Sequence, residues 1–493
     1  MTEVTVTDVT ATVTSWPVDL STVPAGVTRL EIRADLVGDL DPAPLRLAFA
    51  GRLQYTLRSR AHGGRCADPP EVRRARLAWA ALGYDTVDLE ADHDLRPEVL
   101  AAVPAARRRV SWHGPSAALT ELRERFAAMA AVPAAGYLLA PRAASAADAL
   151  VPLRLLAGLG RADVTAYGTG ALGVWSRLLA PWLGAPAVAG PLDRSRSTGA
   201  LDVARICADY PFAALPPLRD LYGLAGPVAL ASSFLGLHNH AYRERGIPAL
   251  YLPFHLTGIG DFLTGFWPAV PDGLRALGMP LRGLTVSGPL KEVALHVADV
   301  VSPVARAAGA ANALTRRGGR WRAATTDSSA VAAALRWVGV PLAGRPAAVV
   351  GCGGAGRAAA VALRYVGADV TMVNRRETRG RLAADLLGLP FTPLDAFRPT
   401  GPCVVVHATS VHTRLPFPVE GLSAGAAVVD LVCPPSGVSA LVAEARGRGL
   451  RTVDGRRVMA VEAAHQFRLM TGRPMPPEPT IREVVTHAGL DSP

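Results

Sequence analysis

Short apolar runs and amphipathic segments alternate along the first 215 residues of the chain. Runs with the length and composition of β-strands occur at residues 27–36, 53–59, 86–92, 108–114, 136–141 and 163–169. Two segments between them, 71–83 and 118–130, place Ala, Leu and Arg at helical spacing. Repeated strand–helix units predict a parallel sheet, and this many units in one block favour a (β/α)8 barrel.

A second α/β region follows a Pro-bearing stretch at residues 209–223, which we interpret as a linker. From residue 345 the pattern becomes a strand, a glycine loop, an Ala-rich helix and a second strand. The predicted strands are 347–350 and 369–373. The loop between them carries the dinucleotide-binding pattern at Gly351, Gly353, Gly354, Ala355 and Gly356. Such glycines allow a tight turn, and the helix amino terminus binds the pyrophosphate.

The end of the second strand indicates which dinucleotide binds. An NAD site has an acidic residue there for the ribose hydroxyls, whereas this chain has Asn374, Arg375 and Arg376. Arginine suits a 2′-phosphate, so we expect NADP as the cofactor. The sequence therefore predicts a nucleotide-dependent redox enzyme or a descendant of one.

Composition limits the other classes of function. Of the 493 residues, 50% are hydrophobic and 19% are charged, so sizeable cores are expected rather than disorder. The net charge of +11 comes from scattered Arg with few aromatic residues between them, which predicts solvated helix faces and no nucleic-acid partner. No apolar run has the length of a membrane span.

Cysteine usage and the amino terminus favour a cytoplasmic protein. The five Cys are widely spaced and odd in number, so we expect neither disulfides nor a metal site. The first 16 residues lack the basic segment and apolar core of a signal peptide.

Lys291 is the single lysine in a chain whose Lys and Arg total 52. One interpretation is a coding bias that replaces surface Lys by Arg and leaves one by chance. The alternative is that position 291 requires a cation that exchanges a proton, because Arg stays protonated in proteins whereas the pKa of Lys shifts on burial.

The region from about residue 222 to 475 resembles shikimate dehydrogenase. The matching segments are 222–242, 281–314, 324–331, the glycine loop, 404–411, 428–435 and 454–467. The resemblance implies an α/β substrate domain, a Rossmann domain and an active cleft between these two lobes. It also implies a carboxy-terminal helix around Ala463–Thr471 that returns to the substrate domain.

The resemblance assigns roles to individual residues. Lys291 and Asp327 correspond to the pair that flanks the reacting carbon while hydride passes to or from NADP. The substrate-binding positions fall on Ser232, Ser287, Asn312 and Glu462. Further cofactor positions fall on Thr409, Ser410 and Gly455.

Several positions depart from the family pattern where the substrate carboxylate and hydroxyls should bind. A second Ser becomes Phe234, a Thr becomes Ser287, a Gln becomes Glu462, a Tyr becomes Cys433, and a Gly-Met pair becomes His412-Thr413. Loss of a hydroxyl donor in a polar site typically costs about 1–3 kcal/mol. The chemistry is thus better supported than the substrate, which can be shikimate, quinate or an amino-substituted analogue.

The amino-terminal half resembles type I 3-dehydroquinate dehydratase, the enzyme one step earlier in the same pathway and fused to the dehydrogenase in some organisms. The matching site positions are Glu31, Arg33, Arg58, His113 and Arg177.

The dehydratase nucleophile is missing from this half. Its Schiff-base Lys aligns with Leu139, a family Glu with His62 and a family Gln with Ala200. An imine requires an uncharged amine, which Arg cannot supply. We expect a degenerate barrel kept for folding, docking or regulation, with an altered activity through His113, Arg58 and Arg177 as the alternative.

The predicted divisions are a dehydratase-like barrel at 1–217, a substrate-binding domain at 222–335, a Rossmann NADP-binding domain at 336–457 and a carboxy-terminal helical segment at 458–493. The function expected is an NADP-dependent dehydrogenase acting on a cyclic carboxylate of the shikimate or quinate type. Two alternatives remain, a non-catalytic scaffold or regulator of the pathway and a working bifunctional dehydratase–dehydrogenase. The sequence does not indicate the oligomeric state or the reaction direction.

Overall fold

A computed structural model describes residues 7–193, 201–212, 215–434 and 436–476. Ala200 and the predicted segment beyond residue 476 lie outside these residues. The chain divides into two compact units, one of residues 1–220, 228–231 and 252–280, the other of residues 221–227, 232–251 and 281–493. Among the described helices, none combines the length and apolar content needed to cross a membrane.

The first sheet is a parallel eight-stranded barrel sheet, as predicted. Its strands are β1 (Asp8–Val13), β2 (Arg29–Arg33), β3 (Arg52–Thr56), β4 (Thr86–Glu90), β5 (Arg108–Trp112), β6 (Gly136–Leu139), β7 (Val164–Ala166) and β8 (Ala187–Pro191). The spatial order is β8-β1-β2-β3-β4-β5-β6-β7. All of the described pairings are parallel. The intervening helices are α1 (Ala34–Val37), α2 (Pro42–Ala48), α3 (Pro70–Gly83), α4 (Pro97–Ala102), α5 (Leu119–Ala130), α6 (Leu150–Leu159), α7 (Val174–Leu179) and α8 (Val203–Asp209).

The barrel sheet buries a polar cluster around Glu31 on β2. The Glu31 Oε1 atom accepts hydrogen bonds from Gln54 Nε2 at 3.0 Å, Thr56 Oγ1 at 2.8 Å and Arg109 Nη2 at 3.1 Å. Arg109 also donates to Asp88 Oδ1 at 2.7 Å. Buried charges need such partners, so removing one member leaves the others uncompensated.

The second sheet has mixed direction and the order β10-β9-β11-β13-β14-β12. Its strands are β9 (Asp220–Gly226), β10 (Ala249–His255), β11 (Leu281–Val286), β12 (Val300–Val301), β13 (Ala313–Arg317) and β14 (Arg320–Ala324). Its helices are α9 (Phe234–Glu244), α10 (Val270–Ala276), α11 (Pro303–Ala308) and α12 (Asp327–Val338). The linker predicted to reach residue 223 is wrong at its end, because Leu221 and Tyr222 are buried in β9.

The third sheet is parallel throughout and has the order β17-β16-β15-β18-β19-β20. Its strands are β15 (Pro346–Val350), β16 (Asp369–Asn374), β17 (Phe391–Pro393), β18 (Val404–His407), β19 (Ala427–Asp430) and β20 (Arg451–Val453). Its helices are α13 (Gly354–Tyr365), α14 (Glu377–Leu387) and α15 (Ala440–Gly447). Strands β16 and β17 lie on one side of β15, and β18, β19 and β20 lie on the other, which is the strand order of a Rossmann fold.

The last described helix, α16 (Gly455–Thr471), begins eight residues before the predicted Ala463. Asp454 caps it by accepting a hydrogen bond from the Arg457 amide, which satisfies a donor of the first turn. The helix packs on α9, α12 and β11. Its first half therefore brings Glu462 into the second compact unit's interior.

Replacing Glu31 by Ala should destabilise the barrel by roughly 3–5 kcal/mol, because Arg109 loses a buried partner. Burial alone would raise the pKa of Glu31, but Arg109, Arg58 and Arg33 lower it from 4.5 to about 2. A carboxyl with a lowered pKa stabilises the fold at any pH above its unfolded-state pKa, and this contribution disappears as the pH falls through about 5 to 2. Calorimetry of the full chain measures the loss in stability, with the exposed Glu124→Ala variant as the control. An equal melting temperature for both variants at pH 7 would contradict it.

Candidate active site

Lys291 and Asp327 form a buried ion pair in the second compact unit. Lys291 follows β11 in the turn after Pro289, and Asp327 is the first residue of α12. The Lys291 Nζ atom lies 2.7 Å from Asp327 Oδ2. The side chains are 16% and 7% exposed. The geometry is that of a charge-assisted hydrogen bond at the end of a sheet.

The charges around Lys291 keep its amine protonated. Burial alone would lower the pKa of Lys291, but the charges of Asp327 and Glu462 and the hydrogen bond to Asp327 outweigh it and raise that pKa. At neutral pH the side chain is thus an ammonium. It holds a proton that it can donate, and Asp327 stabilises the charge.

Asn312 connects the two carboxylates of this site. Its side chain is fully buried, and its Oδ1 accepts a hydrogen bond from the Thr326 amide at 2.7 Å. Its Nδ2 lies 3.0 Å from Asp327 Oδ1 and 2.9 Å from Glu462 Oε1. One amide therefore fixes the start of α12 and orients both acids.

Glu462 retains its carboxyl proton at a higher pH than an ordinary glutamate. Burial and the neighbouring charge of Asp327 raise the pKa of Glu462 from 4.5 to about 7, against the opposing charge of Lys291. Its Oε1 accepts a hydrogen bond from Gln466 Nε2 at 3.0 Å. The pair occupies positions i and i+4 of α16, which face the same side of a helix.

Gln466 extends the cluster to residues that the sequence analysis missed. Its Oε1 accepts a hydrogen bond from Thr285, whose hydroxyl also meets the hydroxyl of Tyr251. Gln466 Nε2 lies 3.2 Å from Thr326 Oγ1. The i, i+4 spacing of Glu462 and Gln466 was the signal that could have found this contact. It becomes visible only when the helix is predicted to begin before Ala463.

Two predicted substrate residues lie outside this hydrogen-bonded cluster. Ser287 comes directly after β11, and its Oγ donates to the Ala225 carbonyl at 3.3 Å. Ser232 Oγ accepts a hydrogen bond from the Phe234 amide at 3.2 Å at the start of α9. Phe234 itself is buried with its ring 5.9 Å from that of His238. The substituted position is therefore an aromatic packing site rather than a donor.

The glycine loop requires its glycines and passes beside Lys291. Gly351 has φ +112°, and a Cβ at Gly356 would lie 1.8 Å from the Gly351 carbonyl oxygen. A Cβ at Gly354 would lie 3.0 Å from Lys291 Cβ. Gly353 has open space around it and Ala355 lies in the first turn of α13. The first turn of α13 thus carries only small residues at positions 354–356, and Gly354 lies beside Lys291 of the ion pair.

Asn374, Arg375 and Arg376 lie where β16 ends. The Cys352 amide donates to Asn374 Oδ1 at 3.4 Å, so Asn374 connects the glycine loop to this turn. Arg375 and Arg376 are exposed and make no side-chain hydrogen bond or ion pair in the described part of the chain. These two guanidinium groups are available to an anion, and the cradle and charges fit a dinucleotide 2′-phosphate.

A buried network positions Thr409 at the end of β18. His407 Nδ1 lies 2.9 Å from Asp430 Oδ1, and both side chains are completely buried. With that nitrogen donating to the carboxylate, His407 Nε2 accepts from Thr409 Oγ1 at 2.6 Å. The sequence analysis did not predict this pair. Ser410 is exposed next to it.

Two more positions border the same region. A Cβ at Gly455 would lie 1.9 Å from the Val432 carbonyl oxygen, so the start of α16 requires glycine for a close approach to the chain after β19. Cys433, which takes the place of a family Tyr, is partly buried in that chain segment.

The dehydratase-like positions of the barrel keep their charges but lack an amine. Arg33 is held by both oxygens of Asp35 at 2.8 Å. Arg177 stacks 4.6 Å over the Tyr167 ring. Burial, followed by the charge of Arg58 and other cations, lowers the pKa of His113 well below its usual value. Leu139 is completely buried at the end of β6.

The fold and site define a dinucleotide-dependent dehydrogenase joined to a barrel domain. Two family models match the chain, type I 3-dehydroquinase over residues 6–213 and the shikimate dehydrogenase substrate binding domain over residues 224–314. The NADP(+) shikimate dehydrogenase of one Thermus thermophilus strain is 38% identical over 226 residues, covering 45% of this chain and 84% of that protein. The chain belongs to the shikimate dehydrogenase family.

Other relatives match one or both halves. The chloroplastic bifunctional 3-dehydroquinate dehydratase/shikimate dehydrogenase of Arabidopsis thaliana is 27% identical and covers 92% of this chain and 79% of that protein. The solved shikimate 5-dehydrogenase of another Thermus thermophilus strain, in complex with NADP(H) and shikimate, has 33% identity and a TM-score of 0.46, over 54% of this chain and 99% of that one.

The carboxyl group of Glu462 should titrate near pH 7, because its raised pKa is about 7. Carbon-13 NMR of protein labelled at the Glu side-chain carboxyl should show one resonance with a midpoint near that pH. Glu462→Gln should lose this resonance, whereas the exposed control Glu444→Gln should keep it. A spectrum in which every Glu carboxyl titrates below about pH 5 would contradict the assignment.

Proposed function

We propose that this protein is an NADP-dependent dehydrogenase that interconverts a ring hydroxyl and a ring ketone of a cyclic carboxylate of the shikimate class. One observation carries the proposal: the Lys291–Asp327 ion pair lies against the amino terminus of α13, where Gly354 leaves room beside the lysine side chain. Proton-transfer groups and a dinucleotide cradle thus share one site.

The Lys291–Asp327 pair handles the proton of the reaction. NADP, when bound, supplies or accepts the hydride. During reduction of the ketone, the Lys291 ammonium donates a proton to the carbonyl oxygen. Asp327 stabilises the positive charge of Lys291 before this transfer. During oxidation of the alcohol, Lys291 Nζ first releases its own proton to solvent and then accepts the hydroxyl proton, which restores the ammonium beside Asp327. Asn312 positions Asp327 for both directions.

The remaining binding roles follow the same arrangement. The loop of Gly351, Gly353, Gly354, Ala355 and Gly356 binds the pyrophosphate. Arg375 and Arg376 bind the 2′-phosphate, with Asn374 fixing their turn. Thr409, Ser410 and Gly455 border the nicotinamide half. Ser232, Ser287, Asn312 and Glu462 contact the substrate, and Glu462 favours a substrate group that donates hydrogen bonds.

The domain division is part of this proposal. The barrel of residues 1–217 precedes a substrate domain at 222–335, a Rossmann domain at 336–457 and a carboxy-terminal helical segment at 458–493 that returns to the substrate domain. All five cysteines are unpaired thiols, which is typical of a reducing compartment, so we assign the protein to the cytoplasm.

The barrel is not assigned the dehydratase reaction. The Arabidopsis relative is named for both activities, but a Schiff base requires a lysine amine. Leu139 occupies that position in this chain, and the amino-terminal half contains no lysine. A bifunctional protein would therefore require another mechanism. A purely regulatory role is less well supported, because Lys291, Asp327 and Asn312 form a complete proton-transfer cluster.

The proposal predicts nicotinamide reduction with NADP and one of shikimate, quinate or aminoshikimate, followed by absorbance at neutral pH. Lys291→Arg should lose at least about 100-fold in kcat, because a guanidinium keeps its proton. Arg336→Lys, elsewhere on α12, is the matched control and should keep its activity. Turnover in Lys291→Arg equal to that of the wild type would overturn the role of the lysine.

Replacing Arg375 and Arg376 together by Ala should raise the KM for NADP by about 10-fold or more and leave the KM for NAD unchanged, because only the 2′-phosphate is affected. The ratio of kcat/KM for the two cofactors measures this change. Arg381→Ala, an exposed arginine paired with Glu377 on α14, should leave the ratio unaltered. An equal loss with both cofactors would exclude a specific 2′-phosphate contact.

A further inference from the structure

Three potential metal ligands converge where strands β3 and β4 end in the barrel. His62 follows β3, Glu90 is the last residue of β4, and His93 lies in the turn after it. One ligand atom from each residue lies within 4.8 Å of the other two. The proposed dehydrogenase chemistry does not use this group, and His62 stands where the dehydratase pattern has a Glu.

The hydrogen bonds of His62 leave one ring nitrogen without a partner. The side chain is 3% exposed, and its Nε2 lies 3.1 Å from Asp92 Oδ2. When Nε2 donates its proton to that carboxylate, Nδ1 carries a lone pair. Nδ1 is buried and makes no hydrogen bond among the described residues. Metal-binding histidines commonly donate their second ring nitrogen to a carboxylate in this way.

The lone pair of His62 faces an acidic oxygen. Its Nδ1 lies 3.6 Å from Glu90 Oε1, too far for a hydrogen bond. Two electron-rich atoms that face each other in a buried site repel each other, and either a proton on Nδ1 or a metal ion between them removes that repulsion. His93 completes the group from an exposed position, so its ring can move toward the other two ligands.

Glu90 is held rigidly in this position. Its Oε1 accepts the Ser59 amide at 2.9 Å, and its Oε2 accepts from Arg73 Nη2 at 3.2 Å. Arg73 is itself bound by both oxygens of Asp94 at 2.6 Å, which offsets its charge. These contacts fix the position of the Glu90 carboxylate before any ligand binds. Because Asp94 balances part of the charge of Arg73, the arginine does not fully cancel the negative charge of Glu90.

We propose that His62, Glu90 and His93 bind one divalent transition-metal ion of the zinc class. Two imidazoles and a carboxylate suit Zn²⁺ or Co²⁺ rather than Mg²⁺ or Ca²⁺, which prefer oxygen ligands. Zinc bonds of about 2.0–2.1 Å at tetrahedral angles place ligand atoms roughly 3.4 Å apart. The His62–Glu90 distance of 3.6 Å is already close to that value, and His93 supplies the remaining adjustment.

Three protein ligands leave a coordination position open. His113 lies beside His62 with a ring separation of 6.2 Å, and its Nε2 is buried without a hydrogen-bond partner in the described chain. The proposed site thus combines an open coordination position with a second, buried histidine next to it. This is the donor set of catalytic rather than structural zinc sites.

Metal titration of the full-length protein tests the site. Protein dialysed against a chelator should bind one equivalent of Co²⁺ and develop the visible absorption of a four- or five-coordinate ion, and Zn²⁺ should displace it. His62→Ala and His93→Ala should each weaken Zn²⁺ binding by more than the roughly 10–100-fold typical of losing an outer partner. His93 is exposed, so this variant should fold normally. Each variant should keep the NADP binding of the other unit.

The control variant is His240→Ala, which removes a partly exposed histidine paired with Glu244 on α9. It should leave Co²⁺ stoichiometry and absorption unchanged. The proposal is overturned if the wild type binds no metal in competition with a micromolar chelator. It is also overturned if His62→Ala and His93→Ala retain wild-type affinity and spectrum, because the ion then binds elsewhere.

Discussion

The dehydrogenase half depends on one buried ion pair, between Lys291 and Asp327. Such a pair is favourable only if further hydrogen bonds satisfy both groups. Here the turn after β11 supplies the lysine, the amino terminus of α12 supplies the aspartate, and α16 supplies Glu462. Asn312 donates to both carboxylates. Three distant parts of the chain must therefore fold correctly before the pair exists.

The position of Lys291 also affects the glycine loop, which lies next to its side chain. A Cβ at position 354 would lie 3.0 Å from both Lys291 Cβ and Ala310 Cβ. A residue larger than glycine there would require these neighbours to shift by a few tenths of an ångström. The preference for glycine thus arises from the packing of Lys291 as well as from the proposed dinucleotide cradle. The sequence motif and the lone lysine, which look independent in the chain, describe a single site.

Local patterns predicted the architecture well where chemistry and periodicity coincide. The alternating runs of the barrel and the Gly351–Gly356 loop both correspond to observed elements. Strands β1 and β8 were missed because DVTATV is rich in Thr and AVAGP contains Gly and Pro, so neither is a clear apolar run. The start of α16 was missed because its cap, Asp454, precedes two arginines rather than an apolar stripe.

Contacts between residues far apart in sequence were harder to predict. Gln466 meets Thr285 across 181 positions, and His407 meets Asp430 across 23. No spacing rule joins such residues, because the folded sheets bring them together. The proposed metal ligands of the barrel come from the ends of two adjacent strands. The expectation of no metal site rested on the spacing of the cysteines, which gives no information about these residues.

Chemical rescue of Lys291→Ala tests the central claim most directly. If the lysine acts by exchanging a proton, small primary amines added to this variant should restore NADP-dependent turnover, whereas guanidine at the same concentration should not. The restored rate should increase with the concentration of the amine until the vacated space is saturated. Equal rescue by guanidine would show that the lysine acts only as a fixed positive charge and does not exchange a proton. Failure of every amine, in a variant that still binds NADP and substrate, would contradict the account.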